Sequence, residues 1–176
     1  MIKMIRLYMK EEFVAKKERV IVKNEMGEDV FLIVGKWGRI GDALSLYAMN
    51  GSLLVEVKQV SLSLLPKFDL YVHQKKIGTI TKHIGILKPY FKVSGLNWTV
   101  TGDFISHVYS IKKFHQTIME MEKASLSFGD FYVLEVTEPH NAPICAAISL
   151  IVDHYAKQKK QSGWRLAKKQ KIIQLM

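Results

Sequence analysis

The sequence predicts a closed antiparallel β-barrel of about twelve strands, threaded by one apolar α-helix near its C-terminus. Three observations lead there. Apolar and polar residues alternate from Met1 to Thr137, with turn residues between the runs. The stretch Ala142 to Tyr155 breaks that alternation and offers no polar face before Asp153. A helix that is apolar all round is buried all round or lies in lipid. Its apolar part, Ala142 to Val152, falls short of the ~20 apolar residues needed to cross a bilayer, so a protein wall is the expected enclosure.

The strands follow in hairpins. Met4–Met9 alternates. Arg19–Lys23 turns at Asn24–Gly27 and returns as Asp29–Gly35. Ala43–Met49 leads to Asn50-Gly51, a strong signal for a two-residue hairpin loop, and Ser52–Lys58 returns. Phe68–Val72 and Ile77–Lys82 flank residues 73–76. Tyr90–Val93 and Trp98–Gly102 flank residues 94–97. Val108–Lys112 and Thr117–Lys123 flank residues 114–116, and Phe131–Thr137 leads to the helix. Lys36, Lys58, Lys82 and Lys123 each close a returning strand, and apolar linkers are expected after them. Successive hairpins of this size curl into a closed sheet, which removes exposed edges. A barrel of so many strands is too wide for its own side chains to fill, and the helix supplies the missing core. Asn141 is the expected N-cap, with Pro143 in the first turn, where its missing N–H costs little.

The 176 residues suit one sizeable domain, assigned to 1–156, followed by a basic extension, 157–176. The net charge of +10 divides as +3 for the domain and +7 for the extension. The N-terminus alternates like a strand, so no signal peptide is expected. One cysteine excludes an internal disulfide and fits a reducing compartment, so cytoplasm is the expected location.

No stretch spells out a catalytic motif. Gly35 to Gly41 (Gly-Lys-Trp-Gly-Arg-Ile-Gly) lacks the Gly-Lys-Ser/Thr of a phosphate loop and reads as a corner between strands. The histidines, His73, His83, His107, His115, His140 and His154, are not spaced as ligand pairs, so no metal site is expected. His73 and His115 fall at turn tips. Cys145 lies on the apolar helix, where a thiol is an inert small hydrophobe. Asp103 and His107 read as a loop between strands rather than as an acid–base pair. No catalytic residue, cofactor or metal is therefore expected.

At Trp98-x-Val100-x-Gly102-Asp103-Phe104, Tyr109-x-Ile111, Ser127-Phe128-Gly129-Asp130 and the apolar helix ending in Asp153, the sequence resembles the LURP-one-related family, which shares the tubby C-terminal fold. The resemblance covers roughly residues 1–156. It implies a twelve-stranded barrel around a central helix, with phospholipid scramblases as distant relatives, and no particular activity. None of the basic residues with which tubby proteins hold phosphoinositides carries over, and no acidic calcium segment is found.

The extension remains as the candidate binding segment. Lys157, Lys159, Lys160, Arg165, Lys168, Lys169 and Lys171 interleave with Trp164 and aliphatic residues. Such a stretch can lie on an anionic membrane, each base adding ~1 kcal/mol near the surface, with Trp164 at the interface. The expected function is a non-enzymatic intracellular binding module associating with anionic phospholipid, peripheral at the inner membrane face. The alternative is a protein-interaction or scaffold domain with no lipid affinity. Contact of the same bases with nucleic-acid phosphates ranks behind both.

Overall fold

The computed structural model describes residues 3–10, 19–36, 39–61 and 65–154. Twelve strands form one closed antiparallel barrel. They are β1 (Ile5–Lys10), β2 (Arg19–Lys23), β3 (Asp29–Gly35), β4 (Ala43–Ala48), β5 (Leu53–Ser61), β6 (Lys67–Val72), β7 (Lys75–Ile84), β8 (Pro89–Ser94), β9 (Trp98–Asp103), β10 (Val108–Lys113), β11 (Gln116–Leu126) and β12 (Gly129–Val136). Each strand pairs with its sequence neighbours, and β1 closes on β12 from Ile5↔Val136 to Lys10↔Phe131. Register shifts in the β2–β3, β4–β5, β5–β6, β6–β7 and β10–β11 pairs add local twist that helps the sheet curl.

The alternation in the sequence becomes an inside and an outside. Leu7 and Met9, Leu44 and Leu46, Val55 and Val57, Phe68 and Leu70, and Leu134 and Val136 are buried, each separated from its mate by one residue of the same strand. They face α1, residues 142–154. Every α1 residue from Cys145 to His154 is buried, and Ala146, Ala147, Ile148, Leu150, Ile151 and Val152 belong to the same core as the wall. Each fully buried Ile, Leu or Val contributes about 1.5–3 kcal/mol relative to exposure. The greasy helix and the wide barrel thus complete each other.

Three local expectations need correction. Asn141 does not cap α1. It sits in a 3-10 turn, Pro139–Asn141, and its side-chain amide donates to Glu138 Oε2 at 3.3 Å. Pro139 starts that tighter turn, so the chain is already coiled when α1 begins. Asn50-Gly51 is not a two-residue loop. Residues 49–52 all lie between the strands, with Gly51 N donating to Ala48 O and Ala48 N to Ser52 O, both at 2.9 Å. The bulge at Leu46/Tyr47 shifts the register and lengthens the turn. Finally, β5, β7 and β11 run past Lys58, Lys82 and Lys123 into the expected linkers. Alternation continues there, and cross-strand partners such as Ile84↔Pro89 and Leu126↔Gly129 extend the ladders.

Candidate functional site: the loop end of the barrel

In an antiparallel barrel with neighbour-to-neighbour connections, the links alternate between the two ends. The links leaving odd-numbered strands, β1–β2 through β11–β12, gather at one end, here called the mouth. Those leaving even-numbered strands gather at the other, the base, where α1 also enters after β12. Base links are short turns. His73 and Gln74, with φ of 47° and 64°, make the two-residue link between β6 and β7, both central residues having the positive φ of a primed hairpin turn. The expected turn-tip position of His73 is found.

The two ends differ in chemistry. Fourteen large apolar residues are exposed among the described ones, and ten belong to the mouth: Ile40, Val60, Leu65, Ile84, Ile86, Leu87, Ile105, Val108, Leu126 and Phe128. The base has Met4, Met26, Met49 and Phe114. The described mouth links contain Lys36, Arg39 and Lys88 against one carboxylate, Asp42, whereas the base links between strands contain Glu25 and Glu28 and no Lys or Arg. Asp42 accepts from the Arg39 backbone N–H at 3.1 Å and is thereby engaged in its own turn. The described mouth links are therefore greasy and net cationic, while Lys23, Lys75, Lys76 and Lys113 flank the base turns from the strand ends.

The β9–β10 link, residues 104–107, is locked onto α1. Phe104 turns inward and meets Phe91 edge-on at 5.3 Å and Tyr109 at 5.5 Å between ring centres. Ile105 points out. His107 turns in again, with φ of 59°, and its Nδ1 lies 2.9 Å from Asp153 Oδ1 on α1. Both side chains are buried, and these two atoms lie close without an aligned hydrogen bond between them. His107 also packs on the Tyr132 ring at 4.9 Å. Asp103 does not face His107. Its carboxylate accepts from Ser106 Oγ at 2.7 Å and from the backbone N–H groups of Ile105 and Ser106 at 3.1 and 3.2 Å. These bonds hold the Asp103 carboxyl below its ordinary range, the Ser106 hydroxyl contributing most. The expected loop is shorter than the sequence suggests, residues 104–107, because Asp103 still pairs with Val108 as the last residue of β9. The pairing of His107 with Asp153 was not visible, because 46 residues separate them and only barrel closure around α1 brings them together.

Between the β7–β8 and β9–β10 links the mouth opens into a cavity of about 290 Å³. Phe91, Phe104 and Val152 line it with Leu87, Pro89 and Ile105, and Lys82, Lys88 and Asp103 stand among its polar lining. A second cavity, of about 400 Å³, lies on the outer wall at Glu120, Glu122 and Glu135, where Arg6 pairs with Glu135.

A family model described as LURP-one-related matches residues 5–153. The chain belongs to that family. A relative in Bacillus subtilis (strain 168), "Uncharacterized protein YxjI", is 30% identical over 150 residues, 85% of this chain and 93% of its own length. The X-ray structure of an Arabidopsis thaliana protein superposes with a TM-score of 0.61 at 14% identity, covering 88% of this chain and 92% of that one. At that identity the likeness speaks for the fold alone.

The remaining sequence candidates fall as follows in this LURP-one-related barrel. Gly35 ends β3, and Lys36 and Arg39 to Gly41 belong to the link before β4, a corner between strands as expected. Cys145 is fully buried in α1, and burial pushes its thiol pKa up. Among the described residues no three His, Cys, Asp or Glu side chains gather as a metal site, and no helix is long and apolar enough to cross a membrane. Lys157, Lys159, Lys160, Trp164, Arg165, Lys168, Lys169 and Lys171 lie outside the described residues. Within the described residues α1 ends at the mouth, since Val152 lines the mouth cavity.

Proposed function

We propose that this LURP-one-related chain is a non-enzymatic binding module that sets the mouth of its barrel on an anionic membrane surface. The observation that carries this reading is the segregation of exposed apolar side chains and loop cations to one end. Ile84, Ile86 and Leu87 stand out on the β7–β8 hairpin with Lys88 beside them. Exposed apolar groups rimmed by polar ones mark interaction surfaces, and cations beside them suit an anionic interface. The seven bases of the 157–176 extension follow α1 in the sequence.

The test is co-sedimentation with vesicles of neutral phosphatidylcholine, with and without an anionic phospholipid. Binding should need the anionic lipid and weaken as salt rises, because exposed charges are screened over about 10 Å at 0.1 M ionic strength. Ile86→Asp with Leu87→Asp should abolish it. Phe114→Asp, which alters an exposed apolar residue at the base, should leave it unchanged. Deleting 157–176 measures the extension's share. If no vesicle composition retains the protein, the membrane reading fails and a protein-interaction domain without lipid affinity takes its place.

A further inference from the structure

The mouth cavity has a lining with two chemistries, and that lining identifies an occupant. Phe91, Phe104 and Val152 present only carbon, and Leu87 and Ile105 stand at the sides. Lys88 follows Leu87 directly and adds a cation to the same lining. The carboxylate among them, Asp103, has its oxygens turned to Ser106 and to the backbone N–H groups of Ile105 and Ser106. An incoming anion would meet the Lys88 ammonium group, which also acts on the hydrogen-bonded Asp103 carboxylate in the same lining. The size is equally restrictive. About 290 Å³ lies at the bottom of the range for ligand pockets, about 300–1,000 Å³, a volume that suits one hydrocarbon chain better than two.

The geometry points to a binding site for a single-chain anionic amphiphile, with one hydrocarbon chain against Phe91, Phe104 and Val152 and a carboxylate at Lys88. The site uses the same mouth as the proposed membrane surface and deepens that reading, but it needs no bilayer to be occupied.

The experiment is calorimetric titration of the full chain, without vesicles, with linear alkyl monocarboxylates of increasing length below their micelle concentrations. Affinity should rise about fourfold for each methylene buried and stop rising once the cavity is full. The alcohol of equal chain length should bind more weakly. Lys88→Glu should erase the preference for carboxylate over alcohol without changing the unfolding midpoint, and Ile105→Trp should crowd the cavity and shorten the longest chain accepted. Absence of binding, or an affinity that climbs without a plateau as in non-specific partition, overturns the site. Vesicle binding with no carboxylate binding defeats the cavity and leaves the membrane surface standing. Carboxylate binding with no vesicle binding supports the cavity and defeats the surface.

Discussion

His107 and Asp153 join the β9–β10 link to the last described turn of the central helix, their Nδ1 and Oδ1 atoms 2.9 Å apart and both side chains buried. His107 also packs on the Tyr132 ring, so truncating it removes a buried ring contact together with the approach to Asp153, a change that costs roughly 0.5–3 kcal/mol. His107→Ala should lose stability on that scale in urea unfolding. His107→Asn should lose distinctly less, since asparagine tolerates the positive φ of this position and keeps a polar group beside the carboxylate. Equal losses would show that a polar neighbour of Asp153 contributes nothing there.

Tyr109 reaches from β10 to the helix, its hydroxyl donating to the Ser149 carbonyl at 3.3 Å. Tyr109→Phe should cost about 0.5–1.5 kcal/mol, the net value of one hydrogen bond. Burial pushes the Tyr109 hydroxyl pKa up. Its ultraviolet ionisation signal in alkali should therefore appear only with unfolding.

Cys145 lies on the same helix with its thiol pKa raised by burial. The native protein should react with iodoacetamide far more slowly than free cysteine, and one equivalent should react in denaturant. Fast native labelling would mean that the helix leaves the barrel on the timescale of the reaction.

Gly102 stands at the cavity wall with φ of +151°, and a Cβ there would sit 2.5 Å from both Tyr109 Cα and Val108 O. These are backbone atoms of the paired strand, which cannot step aside. Gly102→Ala should destabilise by at least about 1–3 kcal/mol, measured against Gly27→Ala, where no atom lies within 4 Å and only the positive φ opposes the change.

Acid should weaken the fold in part through Asp69 and Asp103. At Asp69 burial pushes the carboxyl up, but Lys76 at 2.8 Å and the Thr79 hydroxyl at 2.8 Å outweigh it. At Asp103 the Ser106 and loop hydrogen bonds dominate. Both are held below the ordinary value of 3.8. The folded state therefore favours the charged forms. Their contribution is complete above the unfolded value and lost as pH falls through the lower folded one. The stability gap between the natural protein and Asp69→Asn with Asp103→Asn should close as pH drops from about 5 to about 2. A gap independent of pH would rule out this linkage.

The barrel was legible in the sequence because alternation reports directly which side of a strand is buried. Runs such as Arg19–Lys23 and Trp98–Gly102 reappear as strands almost residue for residue. The helix was legible because no face of Ala142–Val152 could meet water. The mouth was less so. Ile84, Ile86 and Leu87 read as a linker, since a protruding hairpin keeps the pattern of a buried one and only closure shows that it projects past the wall. Asp153 read as the first polar residue after the apolar run, yet it is buried, because its partner arrives from a distant loop. Sequence spacing shows neither the parity that gathers alternate links at one end nor a contact made across the barrel.

The seam between β1 and β12 also bears on how the molecule is made. A nascent chain can set Val22 beside Met9 early, but the other edge of β1 waits until Tyr132 and Leu134 have been synthesised, and the plug of that half-built cylinder comes later still. At about 5–20 residues per second, its inner hydrocarbon face stays wet for roughly 10–35 s on the ribosome. This is a substrate for holding chaperones, and a polypeptide cut short before Ala142 would be a cylinder with no filling.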